Sequence, residues 1–353
     1  MNKLFSPLKI RGVELKNRIA VSPMCQYSSN NGMPTEWHLI HLGSRAVGGA
    51  ALVIQEATAV SPEGRISPDD AGIWNELQME AYKRITGFIT SQNSIPGIQL
   101  AHAGRKGSTY SPWKGTGEVR REVGGWQTYS PSPVHFTDNY PNPKEMDKSD
   151  IKKVVDDFGE AAKRSIKAGF RLIELHMAHG YLVHEYLSPL SNLRKDEYGG
   201  SIENRCRFAI EIANKVRGIV PKDFPLFARI SSSDWVEGGW GVEDSVYLSK
   251  RLKDAGIDLI DCSSGGNAPK ATIPIGPGYQ ITFSEKIKKE ADILTGGIGF
   301  ITSPEQADQI IRTSQADIVL LAREILRNPY WPLFAAKILK ADVEWPKQYE
   351  RAK

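Results

Sequence analysis

The sequence predicts an α/β fold, a single (β/α)8 TIM barrel with a long inserted loop region after the third strand. Eight short apolar runs recur along the 353 residues, and most precede a stretch whose apolar residues return every three or four positions. The runs are typical of strands buried on both faces, and the stretches are typical of one-sided helices. Eight repeats favour closure into a barrel. The alternative, an open doubly wound sheet, lacks its Gly-x-Gly-x-x-Gly fingerprint after the first run.

Each strand is predicted where an apolar run is bounded by turn residues. Two helical stretches have the clearest periodicity, over residues 151–169 and 243–256, and Gly169 and Gly256 are placed to end them as C-caps. The eight predicted strands are residues 19–22, 51–54, 97–100, 172–175, 226–230, 259–262, 293–295 and 318–321.

The inserted region covers residues 104–147 and is rich in Gly, Pro, Ser and aromatic residues. It is too long for a simple connection inside a barrel. At the mouth of a barrel such a segment predicts a lid or a pocket wall. We therefore expect one domain over residues 1–353, with residues 104–147 as an active-site loop.

Composition excludes several classes of protein. The 45 basic and 41 acidic residues give a net charge of +4 without a basic run flanked by aromatics, so no nucleic-acid partner is expected. No signal-peptide stretch and no run of 18 apolar residues occurs, which predicts a cytoplasmic protein without a membrane partner. The three cysteines, Cys25, Cys206 and Cys262, are too few and too widely spaced for a disulfide framework or a Cys-rich zinc site.

The glycine-rich turn "TGGIGF" follows the seventh predicted strand, and Arg323 follows the eighth. Barrels commonly bind a phosphate between these two loops, through backbone N–H groups and a cation. A phosphate-bearing cofactor is therefore one interpretation. The other is that the glycines relieve crowding at a barrel corner while Arg323 pairs with an acid.

Three of the seven histidines, His176, His179 and His184, follow the fourth predicted strand. They could form a metal site, a hydrogen-bonding clamp for a substrate, or ordinary packing. Catalytic zinc sites with two histidines usually add an inward carboxylate, and neither Glu174 nor Glu185 lies at a convincing phase. No metal is therefore expected, and His184 is predicted to be structural.

Several long motifs identify a resemblance. The segments "SPMCQY" (22–27), "QLAHAGRK" (99–106) and "HMAHGYLVHEYLSPLSNLRKDEYGGSIENRCRF" (176–208), the arginine of "LFARIS" and the terminal "QYER" resemble the old yellow enzyme family of FMN-dependent ene-reductases. Cys25 and the C-terminal Tyr-Glu-Arg resemble its bacterial NADPH dehydrogenase branch, also called thermophilic-like. The similarity runs from Leu4 to Arg351.

The resemblance implies a non-covalent FMN, reduced by NADPH and reoxidised by an activated alkene in a ping-pong cycle. Gln99 would bond the pyrimidine edge of the flavin, Arg229 would lie near N1 and the C2 carbonyl, and Ala322 stands where the family usually has Gly. Cys25 would tune the flavin potential; the alternative is a small buried hydrophobe. The cofactor-binding residues implied are Ser22, Pro23, Met24, Cys25, Ala59, Gln99, Arg229, Gly299, Ala322 and Arg323.

The same resemblance implies the catalytic residues. His176 and His179 would donate hydrogen bonds to the carbonyl oxygen of an α,β-unsaturated substrate, as an oxyanion hole does. Tyr181 would protonate the α-carbon, and Tyr27 would bind substrate. Arg351 would reach the active site of a neighbouring subunit, which places residues 340–353 at the interface of a homodimer or homotetramer.

The implied activity is reduction of enones, enals and maleimides, with nitro compounds as a further class, in a detoxification role. Two other functions stay open: a metal-dependent barrel hydrolase or lyase that uses His176 and His179, and a non-catalytic flavin-binding stress protein. A dienoyl-CoA reductase would need an added Cys cluster for iron–sulfur, and this chain has only three cysteines.

Overall fold

A computed structural model describes residues 3–353, and within them eight parallel strands close into a barrel. The strands, in chain order, are β1 (Leu8–Ile10), β2 (Val13–Leu15), β3 (Ile19–Val21), β4 (Leu52–Ala59), β5 (Ile95–Ala101), β6 (Tyr129–Ser130), β7 (Lys144–Glu145), β8 (Leu172–Met177), β9 (Leu226–Ser231), β10 (Leu259–Ser263), β11 (Leu294–Gly297) and β12 (Ile318–Leu321). The helices are α1 (Glu36–Val47), α2 (Glu76–Ser91), α3 (Lys148–Lys167), α4 (Leu182–Leu187), α5 (Ile202–Arg217), α6 (Val242–Asp254), α7 (Ile281–Ala291), α8 (Pro304–Arg312), α9 (Arg323–Arg327) and α10 (Trp331–Ile338).

The barrel is made by β3, β4, β5, β8, β9, β10, β11 and β12, and it closes where β12 pairs in parallel with β3, Val319 against Ile19. The predicted TIM barrel is confirmed. The predicted ends of three strands were wrong by two residues or more: β4 extends to Ala59, past a register shift after Gln55, β8 extends to Met177, and β11 ends at Gly297. A bulge inserts a residue into one strand of a pair, so simple alternation could not locate the end of β4.

Side chains that point into the barrel form an apolar floor. Leu52, Leu172, Phe227 and Leu259 pack together there with Ile318. The β1–β2 hairpin closes the N-terminal end of the barrel against this floor. Its strands have three residues each, too short to produce a periodic pattern, and they were not predicted from the sequence.

The helices cover the outside of the barrel with their apolar faces. The α3 helix begins at an Asp147 cap, whose carboxylate accepts hydrogen bonds from two backbone N–H groups. Beyond the last residues of α3 and α6, Gly169 and Gly256 have φ of +91° and +87°. This is the left-handed conformation predicted for these two glycines.

Residues 104–147 are largely irregular, with 3-10 helices at Gly104–Lys106 and Arg121–Val123 and the short parallel pair β6–β7. Arg65 joins this segment to the loop after β4, because its guanidinium lies 4.7 Å from the ring centroid of Trp126 and 5.4 Å from that of Trp74. No helix within residues 3–353 has both the length and the apolarity that crossing a bilayer requires.

Candidate active site

A polar layer lies directly above the apolar floor. Gln99 donates to Glu174 through Nε2 (2.8 Å), and Arg229 donates to Ser22 Oγ through Nη1 (2.9 Å). Gln99 lies inside β5 and Arg229 inside β9, both within the strands predicted at residues 97–100 and 226–230. Side chains alternate along a strand, so residues within the strands, as well as those after them, build the inner wall of the mouth.

His176, His179 and Tyr181 come together above this layer. The centroid of the His176 ring lies 5.2 Å from that of His179 and 5.1 Å from that of Tyr181. Burial lowers the pKa of both histidines well below the usual range, and the positive charge of Arg229 lowers it further. Both rings are therefore neutral at working pH and each carries one N–H donor.

The turn that carries His179 is held in a strained conformation. His179 has φ of +61°, in the left-handed region that side chains rarely adopt. Its backbone N–H donates to Ser231 Oγ (2.9 Å), and its ring Nε2 lies 2.7 Å from Ser263 Oγ. These contacts with β9 and β10 fix the ring over the barrel mouth.

His184 stabilises the same turn from behind. Its Nδ1 accepts a hydrogen bond from the Gly180 N–H (2.9 Å), and its Nε2 lies 3.2 Å from Asp234 Oδ1. One ring nitrogen accepts a hydrogen bond and the other faces a carboxylate, which supports the structural role predicted for this histidine. Within residues 3–353, no group of three or more His, Cys, Asp or Glu side chains has the geometry of a metal site.

Lys106 is a site residue that the sequence analysis missed. Its Nζ donates to the carbonyl oxygens of His179 (2.9 Å) and Gly266 (3.0 Å) and lies 5.0 Å from the ring centroid of Tyr181. Phe136 of the inserted segment covers it at 4.6 Å. Burial lowers the pKa of Lys106 to about 8. The only hint in the sequence that Lys106 belongs to the site is that it is a cation soon after a predicted strand, in "QLAHAGRK".

The loop after β3 brings Cys25 and Tyr27 to the same mouth. Burial raises the pKa of the Cys25 thiol well above its usual range, and Asp70 and Glu56 raise it further, so the thiol stays protonated. Trp113 of the inserted segment packs edge-on against Tyr27, with ring centroids 5.7 Å apart. The segment therefore forms a wall of the site.

Glu56, also missed by the sequence analysis, anchors that loop. Its Oε2 accepts the Gln26 N–H at 2.7 Å, and its Oε1 lies 3.1 Å from His38 Nε2. The side chain is buried next to the register shift in β4. A charged residue in the otherwise uncharged strand "LVIQEATA" was the available signal.

A cavity of about 180 Å³ opens beside the loops after β11 and β12. Gly299 lies in its wall with φ of +118°, and a Cβ there would come within 3.1 Å of Gln280 Nε2. Arg323, the first residue of α9, lies 4.3 Å from the Phe300 ring centroid and has no carboxylate partner within residues 3–353. This is not the acid pairing considered from the sequence, and a free guanidinium beside a glycine turn fits a phosphate group.

The other residues implied by the resemblance lie in several different places. Ala59 and Tyr181 line one small cavity of about 10 Å³, and Pro23 and Met24 are half-buried on the loop after β3. Ala322 lines the larger cavity with Gly299 and Arg323. Arg351 is exposed in the tail, which packs on α10 through Tyr349 rather than at the barrel mouth of its own chain.

Comparisons with known proteins find relatives along nearly the whole chain. The family model described as NADH:flavin oxidoreductase / NADH oxidase matches residues 3–342. The NADPH dehydrogenase of Geobacillus thermodenitrificans is 49% identical over 99% of this chain and 98% of its own. The NADPH dehydrogenase of Bacillus subtilis is 44% identical, again over 99% and 98%.

Among solved structures, the old yellow enzyme homologue from Zymomonas mobilis superposes with a TM-score of 0.79, at 26% identity over 97% of this chain and 94% of its own. The chain therefore belongs to the NADH:flavin oxidoreductase / NADH oxidase family, to which old yellow enzyme is related, and is an oxidoreductase that uses FMN and NADPH.

Proposed function

We propose that this enzyme reduces the activated C=C bond of α,β-unsaturated carbonyl compounds. The observation that carries the proposal is the pair of neutral imidazoles, His176 and His179, beside Tyr181 at the mouth of the barrel. Enones, enals and maleimides have the carbonyl oxygen that such donors bind, and nitro compounds offer a similar oxygen. The proposed setting is the cytoplasm, in removal of reactive alkenes.

In this mechanism the chain supplies binding, charge and a proton. Bound FMN, which Gln99, Arg229 and Arg323 would hold, would supply the chemistry of hydride transfer from NADPH to the β-carbon of the alkene. His176 and His179 donate to the substrate oxygen, where negative charge develops. Burial raises the pKa of Tyr181 well above its usual range, so its hydroxyl is protonated before the reaction. Tyr181 then gives this proton to the α-carbon. Lys106 holds the His179 carbonyl and so positions the imidazole.

The cofactor residues are proposed from their positions. Gln99 and Arg229 face the mouth from the polar layer and would bind the pyrimidine edge of FMN. Ser22, Pro23, Met24 and Cys25 of the loop after β3, with Ala59 of β4, would lie along the ring. Gly299, Ala322 and Arg323 would hold the phosphate in the cavity of about 180 Å³.

The absorbance spectrum of the purified protein tests the proposal directly. We expect a yellow flavoprotein that NADPH bleaches and that an enone or a maleimide reoxidises, with ping-pong kinetics. A colourless, chelator-sensitive protein would indicate the metal-dependent hydrolase or lyase instead. Bleaching without reoxidation by any activated alkene would indicate the flavin-binding stress protein.

Replacing Arg323 by Met is expected to weaken FMN binding by roughly 10- to 100-fold, because a hydrogen bond to a charged group contributes about 1.5–3 kcal/mol. Riboflavin is the matched ligand, since it has the same ring and no phosphate. The affinity of the Arg323→Met variant for riboflavin should equal that of the wild type. Titration of apoprotein by flavin fluorescence measures both constants, and an equal loss for the two ligands would remove Arg323 from the phosphate site.

We also infer a homo-oligomer, through an exposed apolar surface on α1, α2 and α10. Leu77 is 73% exposed, Ile40 64% and Phe334 50%, and Trp37 and Ile338 extend the same kind of surface. The α1 and α2 helices pack on each other and share the ion pair Arg84–Glu36. Apolar residues exposed in this number are typical of a protein interface. A second copy that covered them could receive the tail at residues 340–353.

Arg351 is proposed to reach the active site of that second copy. Ending the chain at Tyr349, or replacing Arg351 by Ala, is expected to raise the KM of an enone about tenfold. Lys353→Ala is the matched control, since Lys353 pairs with Asp342 of its own chain (2.6 Å). Steady-state kinetics, with light scattering to verify assembly, decides the question. Unchanged KM in an intact oligomer would contradict the cross-subunit contact.

A further inference from the structure

Two carboxyl groups lie inside the barrel, between the apolar floor and the site mouth. Glu174 on β8 and Asp261 on β10 are both fully buried, at 0% exposure. Two positions earlier on each strand, Leu172 and Leu259 belong to the apolar floor. Because side chains two apart on a strand share a face, both carboxyls point into the barrel interior.

These two carboxyls have few partners. Glu174 Oε1 accepts from Gln99 Nε2 at 2.8 Å, and within residues 3–353 neither Glu174 Oε2 nor either Asp261 oxygen has a hydrogen-bond donor. A neighbouring cation is Arg229 of β9, whose Nε lies 3.3 Å from Asp261 Oδ2. Arg229 is also directed toward the mouth through its bond to Ser22 Oγ (2.9 Å).

The charges in this layer do not balance if both carboxyls are ionised. Two carboxylates and one guanidinium would leave one uncompensated negative charge in a buried place, which is costly. The pKa of Glu174 is raised to about 8, mainly by burial and then by the negative charge of Asp261, while Arg229 opposes the shift. Burial raises the pKa of Asp261 in the same direction. The nearby His176 is neutral and cannot compensate.

The proposed function places the flavin edge on Gln99 and Arg229, which are the groups that contact this pair. Hydride transfer from NADPH brings two electrons and one proton, so the flavin gains one negative charge. The negative charge on the flavin, which lies close to Arg229, disfavours the state in which both carboxyls beneath it are ionised.

We propose that Glu174 and Asp261 share one proton in the resting enzyme, and that reduction of the flavin makes this pair retain or take up that proton. The inference rests on the proposed function, since it requires the flavin above Gln99 and Arg229. The proton comes from solvent and binds a carboxylate oxygen of the pair, so it offsets the one negative charge that the hydride brings. Arg229 is then left to act on the flavin instead of two carboxylates.

The sign of the effect defines the pH at which it appears. Below pH 8 the pair already holds its proton in the oxidised enzyme, so reduction has no proton to add. Above pH 8 the oxidised pair has lost the proton, and reduction raises its affinity so that the proton returns. Extra proton uptake on reduction is therefore expected above pH 8 and not at pH 7.

Indicator dyes in weak buffer measure this uptake when the holoenzyme is reduced with NADPH. Near pH 9 the wild type should take up more protons per flavin than Glu174→Gln, and at pH 7 the two should agree. Glu185→Gln is the matched control, because burial also raises the pKa of Glu185 to about 8 but Glu185 lies on α4 and accepts from the Arg105 N–H (2.9 Å). It should retain the wild-type uptake. Equal uptake by wild type and Glu174→Gln overturns the proposal.

Infrared spectroscopy provides a test that does not depend on activity. The wild-type protein at pH 7 should show the C=O stretch of a protonated carboxyl, and part of this band should disappear in Glu174→Gln or, where that variant fails to fold, in Asp261→Asn. An undiminished band in a folded variant overturns the shared proton. Failure to bind FMN, or to be bleached by NADPH, would instead contradict the proposed function and leave the band as the test of the pair.

Discussion

Replacing His176 by Ala is expected to slow reoxidation of the reduced enzyme by an enone roughly 10²- to 10³-fold. The ring of His176 is 4% exposed, and its Nδ1 has no hydrogen-bond partner within residues 3–353. A buried, neutral donor of this kind is already desolvated and oriented, so its hydrogen bond strengthens as charge develops on the substrate oxygen. Losing this hydrogen bond should raise the activation barrier for hydride transfer, while the protein should still fold.

The measurement is single-turnover stopped-flow absorbance after reduction with dithionite, which separates the alkene step from the NADPH step. The matched comparison is His179→Ala against His179→Asn. The first should slow reoxidation to a similar extent, whereas the second keeps an N–H donor and should remain close to the wild type. Reoxidation of His176→Ala at the wild-type rate, in a sample fully loaded with FMN, would refute the donor role.

Replacing Arg229 by Met is expected to destabilise the apoprotein by about 3–5 kcal/mol, because removing one partner leaves buried carboxyls without their cation. The guanidinium is buried, lies 3.3 Å from Asp261 Oδ2 and connects β9 to Ser22. The same change removes the positive charge proposed for the flavin edge, so FMN affinity should fall as well. Urea denaturation of apoprotein and flavin fluorescence measure the two effects separately.

The control for Arg229→Met is the double variant Arg229→Met, Asp261→Asn. Removing both partners of a buried ion pair costs less than removing one, so the double variant should recover part of the lost stability. Its FMN affinity should not recover, because Asn supplies no positive charge. A double variant that is as unstable as Arg229→Met alone would show that the lost stability comes from packing and not from the unpaired carboxyl.

Prediction from the sequence was most successful where the signal is local. The eight strands were located by apolar runs, the left-handed glycines Gly169 and Gly256 after two helices by helix periodicity, and the family by contiguous motifs. Residues that are neighbours in the chain carry all of these signals. Strand ends were less accurate, as in β4, because the bulge after Gln55 depends on the partner strand.

The missed residues act through distant partners. Lys106 became visible as a site residue only through its bonds to His179 and Gly266, which are 73 and 160 positions away. Glu56 also acts through a distant partner, because it accepts a hydrogen bond from the N–H of Gln26, 30 positions earlier. In the sequence each was only a charged residue near an apolar run.

The sequence by itself determined the barrel and the order of its strands, and it proposed part of the set of residues at its mouth, because hydrophobic periodicity and motif spacing are properties of adjacent residues. Only the tertiary structure decided which of these residues touch. Arg229 and Ser22 are 207 positions apart and meet at 2.9 Å because the sheet closes on itself. The same closure buries Glu174 and Asp261 together in one layer, and the low polarity of that interior sets their protonation.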